Sequence, residues 1–211
     1  TLAFLYKPTK TTMRKIIVQE FVTIDGVMQA PGGQEEDPTA EFEFGGWQAP
    51  FMDDDAAELV TGPALKADVE YLLGGYTFEI WSDYWPKHGE IWPFINDNMK
   101  YILSAKKTET NWQNTTFLRN VEDITKLKNS NGPDLHVWGS SKLVQLLLSN
   151  DLVDELCLMT YPIILGQGKK LFSEGAVPRT FHLIESHIGN KGVVVARYAR
   201  AGAVVTGTVG E

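Results

Sequence analysis

The stretch Val137-Trp138-Gly139-Ser140-Ser141-Lys142-Leu143 reads as a buried strand, a tight turn and the start of a helix. Glycine relieves the turn, and two hydroxyls stand where a helix N-terminus takes a capping oxygen or an anion. A second stretch repeats the plan: Leu72-Leu73-Gly74-Gly75-Tyr76-Thr77 passes from an apolar strand through two glycines to a hydroxyl at a helix start. A third, Tyr101-Ile102-Leu103-Ser104-Ala105-Lys106-Lys107, ends a strand in a hydroxyl and two cations. In open α/β sheets ligands sit beyond the carboxyl ends of the strands. Each stretch alone also has a purely structural explanation, because glycine turns and N-cap serines are common. Together they predict a site for an anionic ligand carrying more than one phosphate.

Working outward, β-rich runs are expected over Lys15–Val22, Val69–Leu73, Lys100–Ser104, Leu135–Trp138, Glu155–Pro162, Phe181–His187 and Val193–Tyr198. Helices are expected near Asp53–Thr61, Thr77–Ser82, Ile91–Asn98, Val121–Asn129 and Ser141–Ser149. This alternation implies crossovers over a mostly parallel sheet with helices on both faces. The short turn Gly189–Gly192 instead suits a C-terminal antiparallel hairpin. Between Gly26 and Met52 lies a long segment without periodicity, rich in glycine, proline and acids, yet carrying Met28, Phe42, Phe44, Trp47 and Phe51. Such a loop with apolar anchors is expected to roof a binding cleft.

The length of 211 residues, with 43% hydrophobic and 22% charged residues, suits one folded domain, assigned to 13–211. Residues 1–12 read as an N-terminal extension outside it, because Met13 opens directly into a strand-like run. The net charge of −8 argues against a surface that grips nucleic acid or an anionic membrane. No apolar run is long enough to span a bilayer. The single cysteine, Cys157, cannot pair within the chain, so a reducing, cytoplasmic setting is the expectation. No metal site is expected: His88, His136, His182 and His187 lack ligand spacing, and an odd separation puts His182 and His187 on opposite faces of a strand. The segment Gly166-Gln167-Gly168-Lys169-Lys170 lacks the first glycine of a P-loop, since Ile163 stands there, and the third glycine of a dinucleotide fingerprint, since Leu171 stands there.

Several motifs recur together in a known order: Thr23-Ile24-Asp25-Gly26-Val27-Met28, Leu73-Gly74-Gly75-Tyr76-Thr77-Phe78-Glu79, Trp138-Gly139-Ser140, Leu152-Val153-Asp154-Glu155-Leu156 and Pro162-Ile163-Ile164-Leu165-Gly166. In this the chain resembles the dihydrofolate reductase-like superfamily, and within it the C-terminal reductase domain of the bifunctional riboflavin-biosynthesis deaminase-reductase and its stand-alone bacterial relatives. The resemblance covers roughly Met13 to Tyr198. It implies a three-layer fold around a mixed, mostly parallel sheet, a homodimer, and NADPH lying across the strand ends. By position, Met28 would pack near the nicotinamide, and Gly75, Tyr76 and Thr77 would meet the pyrophosphate and adenosine side. Leu103, Ser104 and Lys106 would lie near the adenine and 2′-phosphate, while Gly139, Ser140, Ser141, Lys142 and Leu143 would hold the pyrophosphate. The implied activity is hydride transfer to a small pterin- or pyrimidine-like heterocycle, similar to that of 5-amino-6-(5-phosphoribosylamino)uracil reductase or dihydrofolate reductase. The alternative is a non-catalytic nucleotide-binding or regulatory protein that keeps the fold.

Two positions depart from the family pattern. Gly75 stands where dihydrofolate reductases carry an arginine, and Trp138 where riboflavin-pathway members carry a glutamate. An aromatic at 138 suits a flat, weakly charged substrate; Trp47, Trp81 and Trp138 are the candidate substrate-binding residues. Candidate proton donors are Asp25, at the mouth of the long loop, and Asp54 and Glu58 on the following helix, with Asp53, Asp55 and Glu155 as further acids.

Overall fold

The computed structural model describes residues 13–52, 62, 68–172 and 176–210, so the expected extension at 1–12 and the expected helix at 53–61 lie outside the described residues. Among the described residues eight strands form one sheet: β1 (Ile16–Thr23), β2 (Glu70–Gly74), β3 (Lys100–Leu103), β4 (Thr115–Leu118), β5 (Leu135–Trp138), β6 (Glu155–Tyr161), β7 (Thr180–Ile188) and β8 (Val194–Gly202). Their order is β4-β3-β2-β5-β1-β6-β8-β7. The pairs from β4 through β6 are parallel, whereas β8 is antiparallel to both β6 and β7. The fold is thus the expected mixed, mostly parallel sheet with an antiparallel C-terminal hairpin, closed at Gly192, which takes a left-handed φ of 80°.

Three helices are described: α1 (Gly75–Tyr84), α2 (Val121–Lys128) and α3 (Ser141–Ser149). Alternation along the strands divides the core. On one face Phe21, Tyr71, Leu73, Trp138 and Tyr161 pack with Phe78 of α1 and the anchors Phe42 and Trp47 of the long loop. On the other face Ile16, Val18, Val22, Leu72 and Val137 meet Ile124 of α2 and Leu143, Val144 and Leu147 of α3. The long loop is therefore built into the core, with Val27, Met28, Ala30, Phe42 and Trp47 all buried. Two short 3₁₀ turns, Thr39–Glu41 and Ala49–Phe51, are its regular pieces.

Two expectations are corrected, and two features of the sheet add to those expected. The stretch Ile91–Asn98 is a series of turns, not a helix: Phe94 takes a left-handed φ of 69°, and the carbonyls of Ile95, Asn96 and Asn98 turn inward onto the buried ammonium of Lys100. Strand β4 was not foreseen, because four residues in a polar stretch gain strand character only through pairing with β3. The edge of the sheet beyond β8 is β7, which exposes Leu183, Ile184 and Ile188. Finally, an irregularity between Leu183 and Glu185 shifts the register, so that His182 pairs with Ala199 and His187 with Val195. Those partners are an even number apart, which puts both histidines on one face of the hairpin. No cluster of metal-ligating side chains occurs among the described residues. Nor, among them, is any helix long and apolar enough to cross a membrane.

Candidate dinucleotide site at the switch point

The chain leaves β2 toward β3 on one side and leaves β5 toward β6 on the other, with α1 and α3 on opposite faces of the sheet. The carboxyl ends of the neighbouring strands β2 and β5 therefore bound the crevice where such sheets bind ligands. Here the two glycine turns meet. Gly74 donates its N–H to Ser140 Oγ at 2.9 Å. A methyl group at Gly74 would stand 3.2 Å from Ser140 Cβ, and one at Gly139 would stand 3.2 Å from Thr77 Oγ1. Gly75 faces the end of β3, where a methyl would lie 3.8 Å from Leu103 O and 3.9 Å from Ser104 Oγ. Glycine at 74 and 139 thus lets the two turns pack against each other, and at 75 it sets the start of α1 against the end of β3.

The turn into α3 is left-handed twice in succession, at Gly139 (φ 55°) and Ser140 (φ 61°). Glycine accepts this freely, while a non-glycine residue pays roughly 1–2 kcal/mol. Neither α1 nor α3 has a side-chain cap. By contrast α2, remote from the crevice, is capped by the Asn120 side chain accepting from Asp123 N, with acids in its first turn and lysines in its last. The two helices that open on the crevice thus leave their first N–H groups and dipole ends without a side-chain oxygen, an arrangement suited to phosphate. Ser141, Lys142 and Leu143 form the first turn of α3, with Leu143 buried and Lys142 exposed.

At the β3 end, Ser104 Oγ accepts from Lys107 N at 3.0 Å. Lys106 is exposed, and Lys107 Nζ lies 3.6 Å from Glu79 and 5.1 Å from the Phe78 ring centre. Sequence reasoning missed Arg119, which follows β4 directly. Its Nη1 donates to the carbonyls of Ser104 and Lys107, both at 2.9 Å, so the guanidinium is fixed beside the β3 turn. The missed strand explains the missed residue.

The long loop closes over this end of the sheet through specific ties. Asp25 accepts from Thr23 Oγ1 at 2.6 Å and from the N–H groups of Leu165 and Gly166 at 3.3 and 2.9 Å. These bonds, led by the Thr23 hydroxyl, hold its carboxyl below the usual carboxylate range, so it is an ionised loop tie. Met28 is buried in the same cluster as Leu143 and Leu171, its N–H donated to Lys169 O. Tyr76 is half exposed, with Lys169 Nζ 5.0 Å from its ring centre; Lys169 in turn pairs with Asp37 of the long loop. Burial, followed by the charge of Asp37, raises the Tyr76 phenol.

On the α1 face the three candidate tryptophans fall in one aromatic cluster. Trp138 packs 5.8 Å from Phe21 and 5.4 Å from Trp92, between ring centres. Its indole N–H is buried without a hydrogen-bond partner among the described residues. Trp47 stands edge-on to Tyr161 at 5.3 Å, with its own N–H donated to Gln29 O. Trp81 sits among Tyr71, Trp85 and Trp92. The polar tips of this wall are uncharged: Gln48 Nε2 donates to Tyr161 OH at 2.8 Å, and burial lowers His136 to about 4, leaving it neutral against Gln19.

Asp53, Asp54, Asp55 and Glu58 lie outside the described residues. Glu155 is engaged by Lys15 and Arg197 in ion pairs that join β1, β6 and β8. The carboxyl that sequence reasoning missed is Glu20, on β1. It is buried, and its Oε2 accepts the N–H of Gly139 at 3.1 Å. A signal was present: Glu20 interrupts the apolar alternation Ile16, Val18, Val22. Cys157 behaves as a small buried hydrophobe, its thiol pushed up to about 12 by desolvation.

The strand order β4-β3-β2-β5-β1-β6-β8-β7, parallel up to β6 and antiparallel beyond it, is that of a dihydrofolate reductase-like fold, and comparison with solved structures bears this out. A protein from Shewanella sp. PV-4 described as a candidate riboflavin biosynthesis protein superposes with a TM-score of 0.64 at 20% identity, over 89% of this chain and 99% of that one. Dihydrofolate reductase from Enterococcus faecalis, complexed with NADP(H) and RAB-propyl, gives 0.58 at 14% identity, over 88% and 96%. The profile of the RibD C-terminal domain matches residues 14–195, and the chain belongs to that family. Among curated proteins, YyaP of Bacillus subtilis, itself uncharacterized, is 28% identical over 192 residues, covering 88% of this chain and 94% of its own length. The family is one of NAD(P)H-dependent reductases. The crevice fits such a cofactor: its glycines let the strand ends and helix starts approach closely, and two uncapped helix ends face it.

Proposed function

We propose that the protein is an NADPH-dependent reductase of a small, flat heterocycle of pterin or pyrimidine type. The observation that carries this reading is the meeting of two uncapped helix N-termini over Gly74, Gly75 and Gly139, beside the aromatic wall containing Trp138. When bound, the reduced nicotinamide supplies the hydride. The chain's own residues do the rest. The first N–H groups of α1 and α3 hold the pyrophosphate, assisted by Thr77 and Lys142. Ser104, Lys106 and Arg119 read the 2′-phosphate end. Phe21, partly exposed and backed by the buried rings of Trp138 and Tyr161, offers an aromatic surface that excludes water and suits a planar substrate.

Titration of the protein with NADPH, followed by quenching of tryptophan fluorescence, is expected to saturate. Absence of binding at hundreds of micromolar would overturn the reading. In the same assay Arg119→Glu should weaken NADPH by about tenfold or more while leaving NADH within about threefold, since only the former carries the extra phosphate. Binding without oxidation of NADPH by any pterin or pyrimidine tried would favour a regulatory nucleotide-binding protein instead. A homodimer belongs to the same proposal, supported by the apolar side chains Leu183, Ile184 and Ile188 on the edge strand β7; a solution mass at the monomer value would refute it.

A further inference from the structure

Glu20 is an anomaly in the sheet. It projects on the face of Ile16, Val18 and Val22, pairs across the backbone with Leu158 of β6, and is 3% exposed. Its Oε2 receives the Gly139 N–H, but its Oε1 is buried with no hydrogen-bond partner among the described residues. A buried carboxylate with one free oxygen is costly; as a carboxylic acid the same group has a donor to give. The surroundings favour the acid. From α3 the face presents Leu143, Val144 and Leu147, with Lys142 turned to solvent; from β5 it presents Leu135 and Val137; from the loops come Met28 and Leu171. No charged group among the described residues acts on Glu20, and burial drives its carboxyl well above the ordinary range, only partly offset by the Gly139 N–H.

That carboxyl is bonded to the first residue of the left-handed turn whose next residues open α3. The Gly139 N–H is held inward by Glu20 and Ser140 Oγ is held by Gly74, so the turn is fixed from two strands. A negative charge at Glu20 would stand one hydrogen bond beneath a pyrophosphate site; a proton there removes the repulsion.

We propose that Glu20 is a positioning residue for dinucleotide binding: as an uncharged acid it fixes the Gly139–Ser140 turn through Oε2 and keeps negative charge away from the bound anion, so that binding requires its proton. This rests on the dinucleotide reading above. Where the free protein has lost that proton, forming the complex takes one up from solvent, converting carboxylate to acid.

The test is NADPH titration of the whole protein between about pH 6 and about pH 9, with calorimetry in two buffers of different ionisation enthalpy to count protons. Wild type is expected to weaken by about tenfold per pH unit once Glu20 ionises, with proton uptake rising toward one. Glu20→Gln keeps the acceptor for Gly139 and a donor, and should bind within about threefold of the best wild-type value with that slope and uptake gone. The 2′-phosphate titrates in both proteins, so the difference between profiles isolates Glu20. Glu20→Leu, which fills the space but leaves Gly139 N–H unpaired, should lose about tenfold at every pH. A wild-type profile no steeper than that of Glu20→Gln, or wild-type affinity in Glu20→Leu, overturns the inference while the dinucleotide reading stands. No saturable NADPH binding by wild type at any pH overturns both.

Discussion

Replacing Gly139 by valine is expected to lower NADPH affinity by about a hundredfold while the protein still folds. The backbone there has φ 55°, where a side chain costs roughly 1–2 kcal/mol and a β-branched one sits at the upper end. A Cβ would lie 3.2 Å from Thr77 Oγ1, so Thr77 or the start of α3 must move apart. Each kcal/mol spent holding the crevice open in its binding geometry is lost from affinity, and about 1.4 kcal/mol is tenfold. Gly139→Ala should show a smaller loss of the same kind. Fluorescence titration measures the affinity and thermal unfolding checks the fold. Undiminished binding in the valine variant would show that the turn does not form the phosphate site.

Lys100→Met is expected to cost about 3 kcal/mol of stability at neutral pH, a large effect for a single change away from the crevice. Lys100 is fully buried. Its ammonium donates to the carbonyls of Ile95, Asn96 and Asn98 at 2.9, 3.0 and 2.7 Å and lies 4.5 Å from the centre of the Trp112 ring. Methionine fills the stem volume but leaves the carbonyls without this donor, at about 1 kcal/mol or more each. The pH dependence has a definite sign. Burial lowers the amine to about 8 from its ordinary 10.5. Between those values the unfolded chain binds more protons than the folded one, so this group's contribution to wild-type stability rises with pH through that window. The gap between wild type and Lys100→Met should therefore widen above pH 8, as read by urea unfolding at several pH values. A variant as stable as wild type at neutral pH would mean that water replaces the ammonium.

Both predictions turn on features that the sequence displays unequally. Gly139 announces itself, since apolar strand, glycine, hydroxyls and helix follow one another in the chain. Lys100 does not: a lysine opening a strand reads as a solvated end until the turns of 91–98 fold back onto it. Those turns themselves were expected as a helix because apolar spacing is blind to the left-handed φ of Phe94. The same blindness applies to Arg119 and Glu20. Arg119 gains a place beside Ser104 only because β4 pairs with β3, and Glu20 reaches the α3 turn only because β1 lies next to β5.

By itself the sequence determined the order of most strands and helices, the antiparallel finish at Gly189–Gly192, and three strand ends suited to phosphate. Those features are local: they follow from side-chain periodicity and from what glycine, serine and threonine permit within a few residues. The tertiary structure alone decided which ends meet. It placed β2 beside β5 so that two uncapped helices share one crevice, left Ser104 attended by an arginine from the next strand, and buried a carboxyl beneath the Gly139 turn. The physical reason is that hydrogen bonding across strands and the loss of water around a charge depend on neighbours distant in the chain, and no local pattern encodes them.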